Sequence, residues 1–404
     1  MTSDYLIRKD RFYSEFQFIY SELYRANGAA FDDLLKLMQE AYKNRSAALK
    51  RKDRSALSNM NWYRSAKEQD RLIRRKEKQE KLALNGNFEQ PELLNQAVKK
   101  LLELANGGAE LIMLDGISGL FCIPGTEWQN KTKVHIFLRI LRICVEIVCP
   151  SVLLYGHIPG QTENYLPYFG TPEKPELHLL SDPEMLPTIW QTAATRDTRL
   201  LANYLNKIGH QPENRIFYRT RDEEKGIFWD LDYTYLETLQ MNEESHKKFL
   251  QSYFTGSFKE SPAKAHRVKN KETGDWGVRG SSLELAGDER LSELVNAFFI
   301  QLGGIPVPEE SKHNAKLLKF RRENHVFDCG ADLWTPGTDN NASIGVGLYK
   351  EGQKFYGLYN FSPDEQVFSL HDPGHYRNVL SGKEVDIVNL VRLKPYGFAW
   401  LLEG

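Results

Sequence analysis

The stretch Gly107-Gly108-Ala109-Glu110-Leu111-Ile112-Met113-Leu114-Asp115-Gly116 reads as a helix end, a buried strand, and a carboxylate where that strand stops. Upstream, Leu94, Val98, Leu101, Leu102 and Ala105 recur at helical spacing, with Pro91 at the start and paired glycines at the end. That punctuation predicts a helix feeding a strand. α/β barrels carry their chemistry at the C-terminal ends of the strands, so Asp115 is the first candidate functional residue. The plainer alternative is a loop aspartate capping the next turn.

Working outward, the same alternation recurs. A helix with Val134, Phe137, Leu138, Leu141, Val145 and Val148 on its apolar side ends at Pro150, and Val152-Leu153-Leu154-Tyr155 reads as the next buried strand. Further strands are predicted at 177–180, 215–218 and 305–307, with a helix through Leu200, Leu201, Tyr204 and Leu205 and a long apolar helix over 283–302. Strands alternating with helices predict a parallel α/β sheet or barrel. Toward the N-terminus, Phe12, Phe16, Ile19 and Leu23 form one helical stripe and Phe31, Leu34, Leu35, Met38 and Tyr42 a second, broken at Asn27-Gly28. The run from Arg64 to Lys81 is densely charged, but its acids are interleaved and it lacks aromatics, so it reads as a solvated helix or linker rather than a nucleic-acid arm. Near the C-terminus, alternation at Ile344, Val346 and Leu348, a polar turn, and then Tyr356 and Leu358 predict antiparallel hairpins.

The 404 residues suffice for a large domain with satellites, and 41% apolar content fits a folded chain. A net charge of -1 gives no global attraction to nucleic acid or anionic membrane. No apolar run is long enough to span a bilayer and Met1 to Asp10 is polar, which makes the cytoplasm the default expectation. Cys122, Cys144, Cys149 and Cys329 show no C-x-x-C pattern and read as free thiols. No acidic or histidine cluster calls for a metal, and no phosphate loop calls for a nucleotide cofactor.

Several separated motifs resemble, in order, the amylosucrase group of the α-amylase superfamily, glycoside hydrolase family 13. They are Phe31-Asp32-Asp33-Leu34-Leu35, Arg45-Ser46-Ala47-Ala48-Leu49, Leu104-Ala105-Asn106-Gly107-Gly108-Ala109-Glu110-Leu111, Ala194-Thr195-Arg196-Asp197, Glu272-Thr273-Gly274-Asp275 with Gly280, Leu285-Ala286-Gly287, Leu302-Gly303-Gly304-Ile305-Pro306, Asn360-Phe361-Ser362 and Pro395-Tyr396-Gly397. The resemblance implies retaining α-glucosyl transfer on a (β/α)8 barrel, with sucrose or an α-glucan as the carbohydrate partner. Its nucleophile falls on Asp115 and its ring-stabilising aspartate on Asp222.

The departures are as informative. The place of the acid/base glutamate is held by His157, the arginine two residues before the nucleophile by Met113, and the histidine before the third aspartate by Arg221. An imidazole with an unperturbed pKa near 6.5 can donate a proton at neutral pH, but it does not reproduce a carboxyl about 5 Å from its partner. Tyr155 and Phe121 are candidate sugar contacts, Tyr155 and Arg221 being the candidate substrate-binding pair. Where the family's first three strand-helix units belong, only the charged run stands. The expected fold is therefore an incomplete or remodelled (β/α)8 barrel: an N-terminal helical region at 1–63, a charged helix or linker at 64–90, barrel strands four to eight at 91–320 and an antiparallel β domain at 321–404. Open sheet edges would be covered by the charged helix or by a second copy in a homo-oligomer. The functional expectation is a catalytically impaired relative that still binds sugar; the alternatives are an active glucosyltransferase or hydrolase, and a scaffold protein contacting partners through 64–81.

Overall fold

The computed structural model describes residues 3–25, 28–59, 62–86, 88–121, 131–209, 215–221, 226–271, 273–337 and 340–404. Six parallel strands form the central sheet: β1 (Gln79–Ala83), β2 (Leu111–Asp115), β3 (Leu153–Gly156), β4 (Leu179–Ser181), β5 (Ile216–Thr220) and, after an insertion, β9 (Ile305–Val307). The insertion carries the small antiparallel sheet of β6 (Ile227–Phe228), β7 (His266–Lys269) and β8 (Trp276–Arg279).

Side chains alternate across the central sheet as strand geometry requires. Ile112, Leu114, Leu154, Leu180 and Phe217 pack outward with the helices, whereas Leu111, Leu153, Tyr155, Leu179, Ile216, Tyr218 and Ile305 form a separate inner core. Both faces are therefore apolar, the condition of a parallel sheet covered on each side. The sheet is curled: the Tyr218 hydroxyl of β5 donates to Gln79 Oε1 of β1, 3.1 Å away. This is the expected remodelled barrel.

The charged run departs from the helix or linker read across 64–90. It is a helix from Ala66 to Arg74 and then becomes β1, paired in parallel with β2. The helix Pro91–Asn106 joins the two, so one of the strand-helix units expected to be missing is present. The sequence hides β1 because it is an edge strand. Glu80, Lys81 and Ala83 are exposed, and such charges protect an edge from pairing with another chain.

The other edge, β9, is covered by the helix Ala66–Arg74, which packs against it and contributes Leu72 to the inner core. Its buried Gln69 donates to the carbonyls of Tyr63 and Arg64 and to Cys329 Sγ at 3.0–3.3 Å and accepts from Arg321 Nη2 at 3.3 Å. Arg321, itself buried, also donates to the carbonyls of Ile300, Leu302 and Gly304 at 2.6–2.9 Å, closing the turn into β9. Arg321→Leu should lower the unfolding free energy by about 2–4 kcal/mol, because these buried acceptors lose their donor. Urea denaturation measures it, and a loss below about 1 kcal/mol, ordinary for a substitution, would mean the rivet is dispensable.

Three N-terminal helices, Ser3–Leu23, Gly28–Asn44 and Ala47–Ser58, bury Phe16, Ile19, Phe31, Leu34 and Met38 in the outer core. The long helix read over 283–302 is two helices, Ser282–Ala286 and Glu289–Gln301. Gly287 turns left-handed between them (φ +63), where a Cβ would lie 2.4 Å from the Pro262 carbonyl oxygen, and Asp288 caps the second helix. The C-terminal region is a six-stranded antiparallel sheet of β10 (Asp332–Trp334), β11 (Ser343–Lys350), β12 (Gln353–Asn360), β14 (Gly374–Asn378), β15 (Glu384–Ile387) and β17 (Phe398–Glu403), with β13 (Gln366–Ser369) and β16 (Leu390–Leu393) forming a hairpin beside it. Glu351 and Gly352, both at positive φ, make the two-residue turn between β11 and β12.

Candidate active site

The C-terminal ends of β2, β3, β4 and β5 stand side by side. Their inner faces floor a cavity of about 1760 Å³, with Leu111, Met113, Tyr155 and Tyr218 below, His157, Ser181 and Thr220 at the rim, and β6, β7, β8 and the helix Glu243–Phe254 as a side wall. An apolar floor with polar groups at the rim is how a ligand site is ordinarily built.

Asp115 closes β2. Gly116 follows it in a left-handed turn (φ +87), with its Cβ position 3.1 Å from the Leu84 carbonyl oxygen, so glycine lets the chain leave the strand next to β1. The Asp115 carboxylate is paired with Lys81 of β1, Nζ to Oδ2 2.7 Å. Leu114 and Gly156 form the last pair between β2 and β3, so Asp115 and His157 each stand one residue beyond that ladder on neighbouring strands. A Cβ at Gly156 would come within 2.5 Å of Leu177 Cδ1, so a larger residue there requires the Leu177 side chain to shift. His157 is exposed, and its Nδ1 lies 2.8 Å from Ser181 Oγ at the end of β4.

Tyr155 sits on the inner face with its ring 4.8 Å from that of Tyr218. Arg221 is not brought to this group. Its guanidinium donates to Asn296 Oδ1 at 2.8 Å and Ser282 Oγ at 3.1 Å and lies against Trp190 and Phe299, in the helix layer outside the sheet. Phe121 likewise packs on Phe137 in the outer core. Asp222 lies outside the described residues, as does Cys122.

Two features escaped the sequence reading. Lys81 reads in sequence as one of the solvated charges, and only the strand register reveals it beside the carboxylate. The second is Asp182, just past β4. It accepts from Arg219 Nε at 2.8 Å, from the Tyr165 hydroxyl at 3.1 Å and from the Tyr204 hydroxyl. Burial, then the Asp182 charge, pushes both tyrosines well above their ordinary pKa. These neutral phenols remain donors at any working pH, and with Arg219 they lock the ends of β4 and β5 together. Among the described residues, no group of three or more His, Cys, Asp or Glu side chains is placed to hold a metal ion, and no helix is long and apolar enough to cross a membrane. Cys144, Cys149 and Cys329 are buried thiols outside any disulfide.

No family model matches the chain. Among solved structures, the α-amylase from H. orenii superposes with a TM-score of 0.50 at 13% identity, over 79% of this chain and 66% of that one. Sucrose 6F-phosphate phosphorylase from Thermoanaerobacter thermosaccharolyticum gives 0.50 at 14% identity, over 75% of this chain and 64% of that one. The chain has the α-amylase-family fold. Among curated proteins, glucosylglycerate phosphorylase from Allomeiothermus silvanus is 26% identical over 141 residues, and that from Escherichia coli 22% identical over 141 residues. The matched stretch is 35% of this chain and 25% of either relative, so the chain matches only a quarter of these proteins' length. β2 and β3 are neighbouring strands of this sheet, and Asp115 and His157 stand at their ends.

Proposed function

We propose that the chain is a carbohydrate-binding protein of the α-amylase fold that keeps the nucleophile half of a retaining glucosyl-transfer site and lacks the carboxylic acid half. The observation that carries this reading is the pair of strand ends: a carboxylate on β2, and on β3 an imidazole held by Ser181, at the position that the resemblance assigns to the second carboxyl. The ligand class is an α-glucoside such as sucrose or an α-glucan, in keeping with the motifs quoted above and with the sugar-directed names of the relatives. Asp115 is assigned to the anomeric carbon, Asp222 to the sugar ring, Tyr155 to the cavity floor beneath it, and His157 to the leaving oxygen as a poor acid. Arg221 is assigned no direct contact, because its guanidinium is engaged with the helix layer.

The scaffold reading is weaker. Arg71, Arg74, Arg75, Lys76 and Lys81 are each paired with a carboxylate of the same chain, which leaves little unbalanced charge for a partner. With β1 charged and β9 covered by a helix, light scattering should report a monomer; a stable dimer would favour a second copy on the β1 edge.

The test pairs binding with turnover. Calorimetry should detect maltose or sucrose binding, while sucrose turnover should fall far below the roughly 10 s⁻¹ of an ordinary enzyme. Asp115→Asn should abolish whatever turnover remains. Folded protein that binds no sugar would refute the binding role, and sucrose turnover at an ordinary rate would refute the impairment.

A further inference from the structure

We propose that Lys81 is the positioning cation of this site, acting from the neighbouring strand in the place left neutral by Met113. The inference rests on the assignment of Asp115 as nucleophile. In the β1–β2 ladder Lys81 is paired with Met113, and Ala83 with Asp115. The cation therefore stands level with the position two residues before the carboxylate, one strand over. Parallel strands lie about 4.8 Å apart, and an extended lysine running along the same face reaches the end of the next strand. The ladder continues one step further, since the Leu84 amide donates to the Asp115 carbonyl at 2.9 Å, so β1 fixes the backbone of the carboxylate as well as its charge.

Stability does not account for the pair. The Lys81 side chain is 59% exposed and that of Asp115 44%, and ion pairs that wet contribute little to folding. A sugar seated over the strand ends changes its surroundings. With water displaced, the same 2.7 Å contact acts through a lower dielectric, and it aims one carboxylate oxygen while leaving the other for the anomeric carbon. In the first step an Asp115 oxygen bonds to the anomeric carbon as the bond to the leaving group breaks. In the second, water attacks that carbon, the ester bond breaks, the water's proton passes to solvent or His157, and the returning carboxylate charge is met by Lys81.

The test uses 5-fluoro-α-glucosyl fluoride, whose fluoride departs without a proton, so trapping reports on Asp115 and Lys81 independently of His157. Peptide mass spectrometry follows the labelling rate of Asp115, with melting curves confirming the fold. Lys81→Met should slow labelling about ten- to a hundredfold, the range for losing one hydrogen bond to a charged group. Lys81→Arg should retain most of the rate, and Met113→Arg added to Lys81→Met should restore it, which a merely structural role would not produce. Equal labelling in native protein and Lys81→Met, or a native protein that binds glucose by calorimetry yet is not labelled, would overturn the proposal while leaving the binding function standing. Absence of both glucose binding and labelling would overturn the two together.

Discussion

His157→Glu should raise turnover of sucrose or an unactivated aryl α-glucoside by roughly a hundred- to ten-thousandfold, the usual worth of a positioned general acid. The geometry favours the gain. Residues 115 and 157 stand one step past the last pair between β2 and β3. Neighbouring strands lie about 4.8 Å apart, and retaining enzymes hold their two carboxyls about 5–5.5 Å apart, so a glutamate here falls within reach of that spacing. The native imidazole is tied through Nδ1 to Ser181 Oγ at 2.8 Å, a contact that holds the ring toward the end of β4. Two controls make the result interpretable. An α-glucosyl fluoride, which needs no acid, should show little or no gain, and Asp115→Asn added to His157→Glu should erase the gain. A folded His157→Glu protein with no increase on sucrose or aryl glucosides would place the defect elsewhere than in the missing acid.

What the sequence disclosed, and what it withheld, follows from how each signal is written. The helix Pro91–Asn106 and β2 announce themselves because helical spacing gives way to an apolar run between glycine punctuation, and burial on both faces keeps that run apolar. β1 is as much a part of the barrel, yet Gln79-Glu80-Lys81 carries the charges of an edge, and local pattern cannot tell an edge strand from a solvated linker. Lys81 was invisible for the same reason: a register between segments thirty-two residues apart brings it to Asp115. The outward position of Arg221 was open to inference. Tyr218 and Thr220 face the cavity, so strand alternation sends the intervening Arg219, and Arg221 after it, to the helix side. Arg321 and Gln69 gave no sequence signal, since a polar residue on a helix reads as surface until its partners are known.

The largest loss of stability should come from Glu110, at the opposite end of β2 from Asp115. Its side chain is 4% exposed and meets Lys52 at 2.6 Å, Arg75 at 2.7 Å and Arg71 at 3.6 Å, so one carboxylate ties the helices Ala47–Ser58 and Ala66–Arg74 to the base of the sheet. Burial alone would raise its pKa, but the Lys52 hydrogen bond and charge, with Arg71 and Arg75, outweigh burial and hold it below the ordinary carboxylate range. The cations outnumber the carboxylate: burial, then the two arginines, pushes Lys52 below its own ordinary value even against the pull of Glu110. Removing the carboxylate therefore leaves three cations facing one another in a partly dry site. Glu110→Gln should cost about 3–5 kcal/mol in urea denaturation, the range for breaking a buried ion pair from one side. Lys52→Met combined with Glu110→Gln should recover part of that loss, because it removes one of the stranded charges. The pH dependence has a definite sign. A folded-state pKa depressed below the unfolded value of about 4.3 gives stability that is full above that value and lost as pH falls through the folded one. The native protein should thus show a steeper acid limb than Glu110→Gln below about pH 4.3, the two stability curves converging toward low pH. Parallel acid limbs, or a neutral-pH loss under about 1 kcal/mol, would mean that the three cations are satisfied by solvent and that the clamp does not hold the charged helix beneath the barrel.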